Sequence, residues 1–164
     1  MGGPTQQGWP AGNETNWHEL FLEAVHAQSA VDVTFRFPYG SGKVIPEGSL
    51  YYADVTSPAK QQALVAFKMT GAEFESYLQS WLTLYGKPPM LKGIELDWST
   101  DPANKVIRIN NTGLRPDQKY KIVADEVTLT RACWAVPQHI QYHLLPDTVA
   151  AAVLQHIEQG NWPH

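Results

Sequence analysis

The stretch LVAFKMTGAEFESYLQSWLTLYG, Leu64–Gly86, changes its hydrophobic period partway along, and that change decides the fold class. Leu64 to Met69 is apolar enough for a mostly buried strand. Thr70-Gly71-Ala72-Glu73 then reads as a capping box, in which the Thr70 side chain accepts from the third helical amide and Glu73 reaches back. Phe74, Tyr77, Leu78, Trp81, Leu82 and Tyr85 follow at the 3.6-residue spacing of one apolar helix face, until Gly86 and Pro88-Pro89 stop it. A buried strand that runs directly into an amphipathic helix predicts mixed secondary structure.

Upstream, Asn16 and Glu19 form a second capping box before Trp17, Leu20, Phe21, Ala24 and Val25, which predicts a helix ending near Gln28. Val31, Val33, Phe35 and Phe37 alternate with polar residues as a strand with one buried face. Tyr39-Gly40-Ser41-Gly42-Lys43 is a glycine-punctuated loop, and Pro46-Glu47-Gly48 a turn before Leu50-Tyr51-Tyr52. Downstream, Ile94-Leu96-Trp98 and Val106–Ile109 flank the turn Asp101-Pro102-Ala103-Asn104 and read as a hairpin. Tyr120 to Ala124 is a further strand, and Asp147 caps a last helix carrying Val149, Val153, Leu154 and Ile157. Residues 1–13 are mostly small and polar and are expected to be a flexible tail or linker; residues 14–164 are expected to be one α+β domain.

With 164 residues, 43% hydrophobic and 17% charged, the chain can close one real core. A net charge of -4 supplies no electrostatic footprint for nucleic acid, so no nucleic-acid partner is expected. No apolar run approaches the roughly 20 residues that span a bilayer, and the N-terminus has no basic region followed by an apolar one, so neither a membrane span nor a signal peptide is expected in this chain. The single cysteine, Cys133, excludes an intramolecular disulfide.

Several phrases, taken in order, resemble the C-terminal domain of the 5'-nucleotidase family, secreted metallophosphoesterases that hydrolyse nucleotides, UDP-sugars and 2',3'-cyclic nucleotides. Ala30-Val31-Asp32-Val33, a Gly-rich loop and Ile45-Pro46-Glu47-Gly48-Ser49-Leu50-Tyr51-Tyr52-Ala53-Asp54-Val55 are similar to the family's "aDia...GgiRadIpaGpiTyadv" stretch. Lys68-Met69-Thr70-Gly71-Ala72-Glu73-Phe74 resembles its "eltGaelk" phrase. Leu91-Lys92-Gly93-Ile94-Glu95-Leu96, Asn104-Lys105-Val106 and Leu114 to Val123 resemble "vsGlrf", "rV" and "ldpdktYkVat". The resemblance implies a layered α/β/β/α domain that binds the substrate's base. It further implies that two divalent metals and the catalytic His and Asp reside in a separate N-terminal metallophosphoesterase domain, joined in cis or in trans, and that the protein is periplasmic or secreted.

The resemblance would gather Arg36, Tyr39, Lys43, Lys60, Gln62, Arg131 and Trp134 near one cleft as candidate ligand-binding residues; the alternative is that each is a solvated loop residue. The family's nucleotide motifs themselves are altered. The Arg of the "GgiR" loop falls at about Gly42, with Lys43 beside it. Pro58-Ala59-Lys60-Gln61-Gln62 stands where the family has Pro-Phe-Gly-Asn, and the second stacking Phe falls at about Val127. Arg131-Ala132-Cys133-Trp134-Ala135 replaces the Gly-Gly-Asp-Gly-Tyr loop. Each base–aromatic stack contributes on the order of 1–3 kcal/mol, so nucleotide affinity is expected to fall by orders of magnitude.

No catalytic residue and no metal centre is expected in this chain. Asp-x-His, needed for a dimetal site, does not occur, and Asn16-Trp17-His18-Glu19 reads better as a helix start than as a metal motif. His139 and His143 stand four apart, which allows a metal pair, but no third ligand is identifiable. The expectation is therefore a substrate-binding type of domain of a 5'-nucleotidase-like hydrolase, inactive alone, with a small anionic or nucleotide-like ligand. The alternative is a diverged binding or protein-interaction module on the same scaffold with a non-nucleotide ligand.

Overall fold

A computed structural model describes residues 8–12, 15–37, 44–45, 48–51, 62–97, 105–132 and 137–160. In chain order the elements are β1 (Gly8–Gly12), β2 (Thr15–Asn16), α1 (Trp17–Ser29), β3 (Val33–Arg36), β4 (Val44–Ile45), β5 (Gly48–Tyr51), β6 (Ala63–Thr70), α2 (Gly71–Tyr85), β7 (Met90–Lys92), β8 (Ile94–Asp97), β9 (Val106–Ile109), β10 (Thr112–Gly113), β11 (Lys119–Asp125), α3 (Glu126–Ala132), β12 (His143–Thr148) and α4 (Val149–Glu158). This is the expected α+β class.

The centre is a mixed five-stranded sheet in the order β12-β6-β11-β3-β7. β6 and β11 pair antiparallel over seven residues, from Lys119↔Thr70 to Asp125↔Leu64, while β11 and β3 run parallel. The C-terminal ends of β3 and β11 therefore lie at one end of the sheet with the start of β6. The end of β6 and the start of β11 lie at the other.

Apolar side chains leave the sheet on both faces. On one, Leu64, Ala66 and Val123 pack against Trp17, Leu20, Phe21 and Val25 of α1 and Val149, Val153 and Ile157 of α4. On the other, Phe35, Phe67, Tyr120 and Ile122 meet Phe74, Tyr77, Leu78 and Trp81 of α2 and Ile107 and Ile109 of the small sheet β10-β9-β8. Fully burying each large side chain stabilises by about 1.5–3 kcal/mol before entropy costs. The aromatic file Phe35, Tyr77, Trp81 and Tyr85, extended by Phe37, has ring centroids 5.0–5.9 Å apart.

The capping box at α2 forms as read: Thr70 accepts from the Glu73 amide at 3.3 Å and Glu73 accepts from the Thr70 amide at 2.8 Å, while Gly86 closes the helix at φ 71°. Gly71 is required for close approach. A Cβ there would lie 2.1 Å from the Arg115 carbonyl oxygen. Asp32 fastens three segments, its carboxylate accepting from the Lys121 amide at 2.8 Å and from the Asn110 side chain at 3.3 Å, and its own amide donating to the Lys121 carbonyl at 3.0 Å.

Some local expectations are corrected. Thr148, not Asp147, caps the last helix, accepting from Ala151 at 3.2 Å, because the helix begins at Val149. Strand β12, helix α3 and strand β1 are additions to the elements read from sequence. β1 pairs with β5, so Gly8–Gly12, inside the expected tail, forms sheet with residues some forty positions later. β12 carries Pro146 and lacks an alternating pattern, which an edge strand tolerates because one side of its backbone needs no partner. The capping contacts of Asn16, the turn at 101–104 and the loop at 39–43 lie outside the described residues or side chains. Among the described residues, no helix is long and apolar enough to cross a membrane.

Candidate functional site

The end of the sheet formed by the C-termini of β3 and β11 is held by a buried polar cluster. Strand β3 ends at Arg36, 1% exposed, and β11 ends at Asp125, 0% exposed. Arg36 Nη1 is 3.5 Å from Asp125 Oδ2, and the guanidinium also lies over the Phe21 ring, 4.3 Å from its centroid. A buried charge is tolerated only with such partners.

Asp125 does further service. Its Oδ1 accepts from the Thr128 amide at 2.8 Å, capping α3, and its Oδ2 accepts from the Thr128 hydroxyl at 3.0 Å. The Thr128 hydroxyl oxygen in turn accepts from the Phe37 amide at 3.1 Å, across 91 residues. One continuous chain of contacts thus joins Phe37, the residue just after β3, to the junction of β11 with the first turn of α3. The end of β3 and the start of α3 are thereby tied by buried and half-buried groups that satisfy one another's hydrogen bonds.

His18, on α1, belongs to the same cluster. Burial, and then the positive charge of Arg36, push its imidazole down to about 4, so it is neutral at pH 7. His26 and His156 are also lowered, mainly by burial.

Of the seven sequence-derived candidates, Arg36 and Gln62 have described side chains. Arg36 faces inward onto Asp125 and Phe21. Gln62 is 8% exposed at the start of β6, and its carbonyl accepts from the Val149 amide at 2.9 Å, tying α4 to the sheet. The two share the end of the sheet at which β3 stops and β6 starts. Arg131 lies in α3, with its side chain outside the described set; Tyr39, Lys43, Lys60 and Trp134 lie outside the described residues. Val127, the position matched to the second stacking aromatic, is in the first turn of α3.

Sequence reading missed Asp125, Thr128 and His18. The first two carry a legible signal, Asp-x-x-Thr at a strand-to-helix junction, where Asp is a favoured N-cap. His18 carries none, since its burial depends on how α1 crosses the sheet.

His139 and His143 occupy the far end of the sheet. His139 Nε2 is 2.5 Å from Glu73 Oε1, and no group of three or more His, Cys, Asp or Glu is arranged for a metal among the described residues. These donors do not make up a two-metal centre of the kind that activates water for phosphoester hydrolysis.

The family model described as "5'-nucleotidase, C-terminal domain" matches residues 6–130. Solved structures with similar folds include a 5'-nucleotidase precursor from Thermus thermophilus, at TM-score 0.76 and 12% identity over 96% of this chain and 38% of that one. The sulfate thiohydrolase SoxB from Thermus thermophilus is similar at TM-score 0.71 and 12% identity, over 96% of this chain and 33% of that one. The NAD nucleotidase NadN of Haemophilus influenzae is similar at TM-score 0.62 and 14% identity, over 96% and 34%. The chain therefore spans little more than a third of the length of these proteins. None of the curated protein sequences matches it.

Proposed function

The chain belongs to the 5'-nucleotidase C-terminal domain family, and from that premise we propose that it is a substrate-binding domain of a 5'-nucleotidase-like metallophosphoesterase, inactive on its own. Two divalent metals and the hydrolytic residues would be supplied by an N-terminal domain, in cis or in trans. Hydrolysis of this kind uses the metals both to generate the nucleophile and to neutralise the leaving oxygen. This chain's part is to hold a small anionic or nucleotide-like ligand against that centre.

The observation that carries the reading is the buried chain Arg36–Asp125–Thr128–Phe37. It ties Phe37, just after β3, to the start of α3, the helix that contains Arg131, with Gln62 at the same end of the sheet; Tyr39 and Lys43 follow β3 in the sequence and Trp134 follows α3. Binding loops rooted on a rigid scaffold are a common way to place polar groups around a ligand. In this scheme Arg36 is a positioning residue, and Lys43, Lys60 and Arg131 supply the charge that meets the ligand.

A second reading is favoured by the residues aligned with the stacking platforms, Ala59 and Val127: the scaffold has become a binding module for a non-nucleotide ligand. Thermal melts of the chain with AMP, UDP-glucose and small aliphatic phosphate esters separate the two. A ligand at about 100 times its dissociation constant adds about 2.7 kcal/mol. A rise with AMP or UDP-glucose that is lost in the Lys43→Gln/Lys60→Gln variant supports the first reading. A rise with aliphatic esters alone supports the second, and melts flat across all of them contradict both.

A further inference from the structure

The opposite end of the same sheet carries a basic cleft that the reading above does not use. β6 and β11 pair so that Lys68 and Lys121 stand directly across from each other, and Lys119 lies two residues along the same face, opposite Thr70. All three line a cleft of about 590 Å³. His139 and His143, whose spacing allows both to face one side of the chain, also line it.

Like charges directly opposite on paired strands repel and cost stability. Among the described residues, none of the three ammonium groups has a carboxylate partner; the lysine ion pairs are those of Lys92 with Glu23 and Lys105 with Glu75. The cleft thus gathers three lysines without an ion-pair partner among the described residues, and its one carboxylate, Glu73, is engaged by the Thr70 amide and His139.

We propose that this cleft is an anion site that takes a diphosphate group, separate from the ligand end of the domain. Cross-strand partners place Lys68 and Lys121 about 5 Å apart at Cβ, and the step from Lys119 to Lys121 adds about 7 Å along the strand. That spread of charge suits two linked phosphates better than one. Three lysines and no arginine favour a phosphate, which accepts compact point charges, over a planar carboxylate, which pairs best with a guanidinium fork. The imidazoles of His139 and His143 add donors at the rim.

The test is a titration of the whole chain with inorganic pyrophosphate, followed by calorimetry and thermal melting, with inorganic phosphate, citrate and a short single-stranded oligonucleotide alongside. The expected result is binding of one pyrophosphate, tighter than phosphate or citrate and weakened by salt. Lys68→Gln/Lys121→Gln lowers that affinity by about a hundredfold, at about tenfold per lost charged contact, while the unliganded variant melts no lower than the parent because the repulsion is gone. Lys68→Glu, which creates an opposite-charge pair with Lys121, abolishes binding and raises the melting point. Equal pyrophosphate affinity in the parent and both variants overturns the proposal. So does the absence of pyrophosphate binding, or oligonucleotide binding without it. Because Lys43 and Lys60 are untouched, a response to AMP or UDP-glucose surviving in these variants keeps the failure of this site distinct from failure of the proposed function.

Discussion

The Arg36 guanidinium lies 3.5 Å from the Asp125 carboxylate, with side chains 2% and 0% exposed, at the point where the two parallel strands β3 and β11 end together. Breaking such a pair from one side strands a charge in a medium that solvates it poorly. Asp125→Ala is expected to cost about 3–5 kcal/mol, since it also removes the cap of α3 and the partner of Thr128. The double variant Arg36→Met/Asp125→Ala should lose less than Asp125→Ala alone. Urea unfolding of the two variants checks this; a double variant less stable than the single one contradicts the role given to the pair.

Gly71 and Gly86 make a controlled comparison. At Gly71 a Cβ would sit 2.1 Å from the Arg115 carbonyl oxygen, a backbone atom that cannot step aside without moving the 115–118 turn, whereas at Gly86 no neighbour lies within 4 Å and the cost is only that of φ 71°. Gly71→Ala should destabilise by about 1–3 kcal/mol despite alanine's better helix propensity, and Gly86→Ala by about 1 kcal/mol. Melting curves showing Gly71→Ala equal to or more stable than the parent would refute the close approach.

The Thr70 cap is worth a smaller amount. Thr70→Ala leaves the Glu73 amide without its side-chain acceptor, and about 1 kcal/mol of stability should go with it. Thr70→Ser keeps the hydroxyl and should recover most of that loss in the same denaturation assay.

Acid should weaken the fold through its buried histidines. His18 titrates at about 4 in the folded chain against 6.5 when unfolded, so between those values the unfolded chain binds a proton that the native one refuses. Stability is complete above pH 6.5 and declines as pH falls toward 4, by about 2–3 kcal/mol from His18. His26 and His156, lowered in the same direction, add to the decline. Melting midpoints at pH 7.5 and pH 5 should differ accordingly, with a smaller difference in His18→Gln; identical differences in parent and variant would remove His18 from the account.

Much of the scaffold was legible because its signals are local. The strand-to-helix switch at Thr70, the glycines and Asp32 each answer a nearby steric or hydrogen-bonding demand. Gly93, the glycine of the "vsGlrf"-like phrase, has φ 85°, and a Cβ there would meet the Asp32 carbonyl oxygen at 2.2 Å. What stayed hidden is non-local. Gly8–Gly12 becomes a strand only because Gly48–Tyr51 pairs with it, and β12 only because β6 has a free edge. Arg36 read as a cation available to a ligand; which carboxylate it faces depends on β11 lying parallel to β3, and no pattern in the sequence states that. The lysine cleft was hidden for the same reason, since Lys68 and Lys121 are neighbours only through strand register.

The central claim is that this domain binds a substrate-like ligand and performs no hydrolysis by itself. A phosphorus NMR time course on the Lys68→Gln/Lys121→Gln chain, incubated with millimolar AMP and UDP-glucose and with magnesium, reads both halves at once and leaves the lysine cleft out. The account predicts protein-dependent shifts or broadening of the ligand lines, reversed in Lys43→Gln/Lys60→Gln, with no inorganic phosphate accumulating. Phosphate released in proportion to protein concentration, or lines that do not respond to the protein at all, would contradict it.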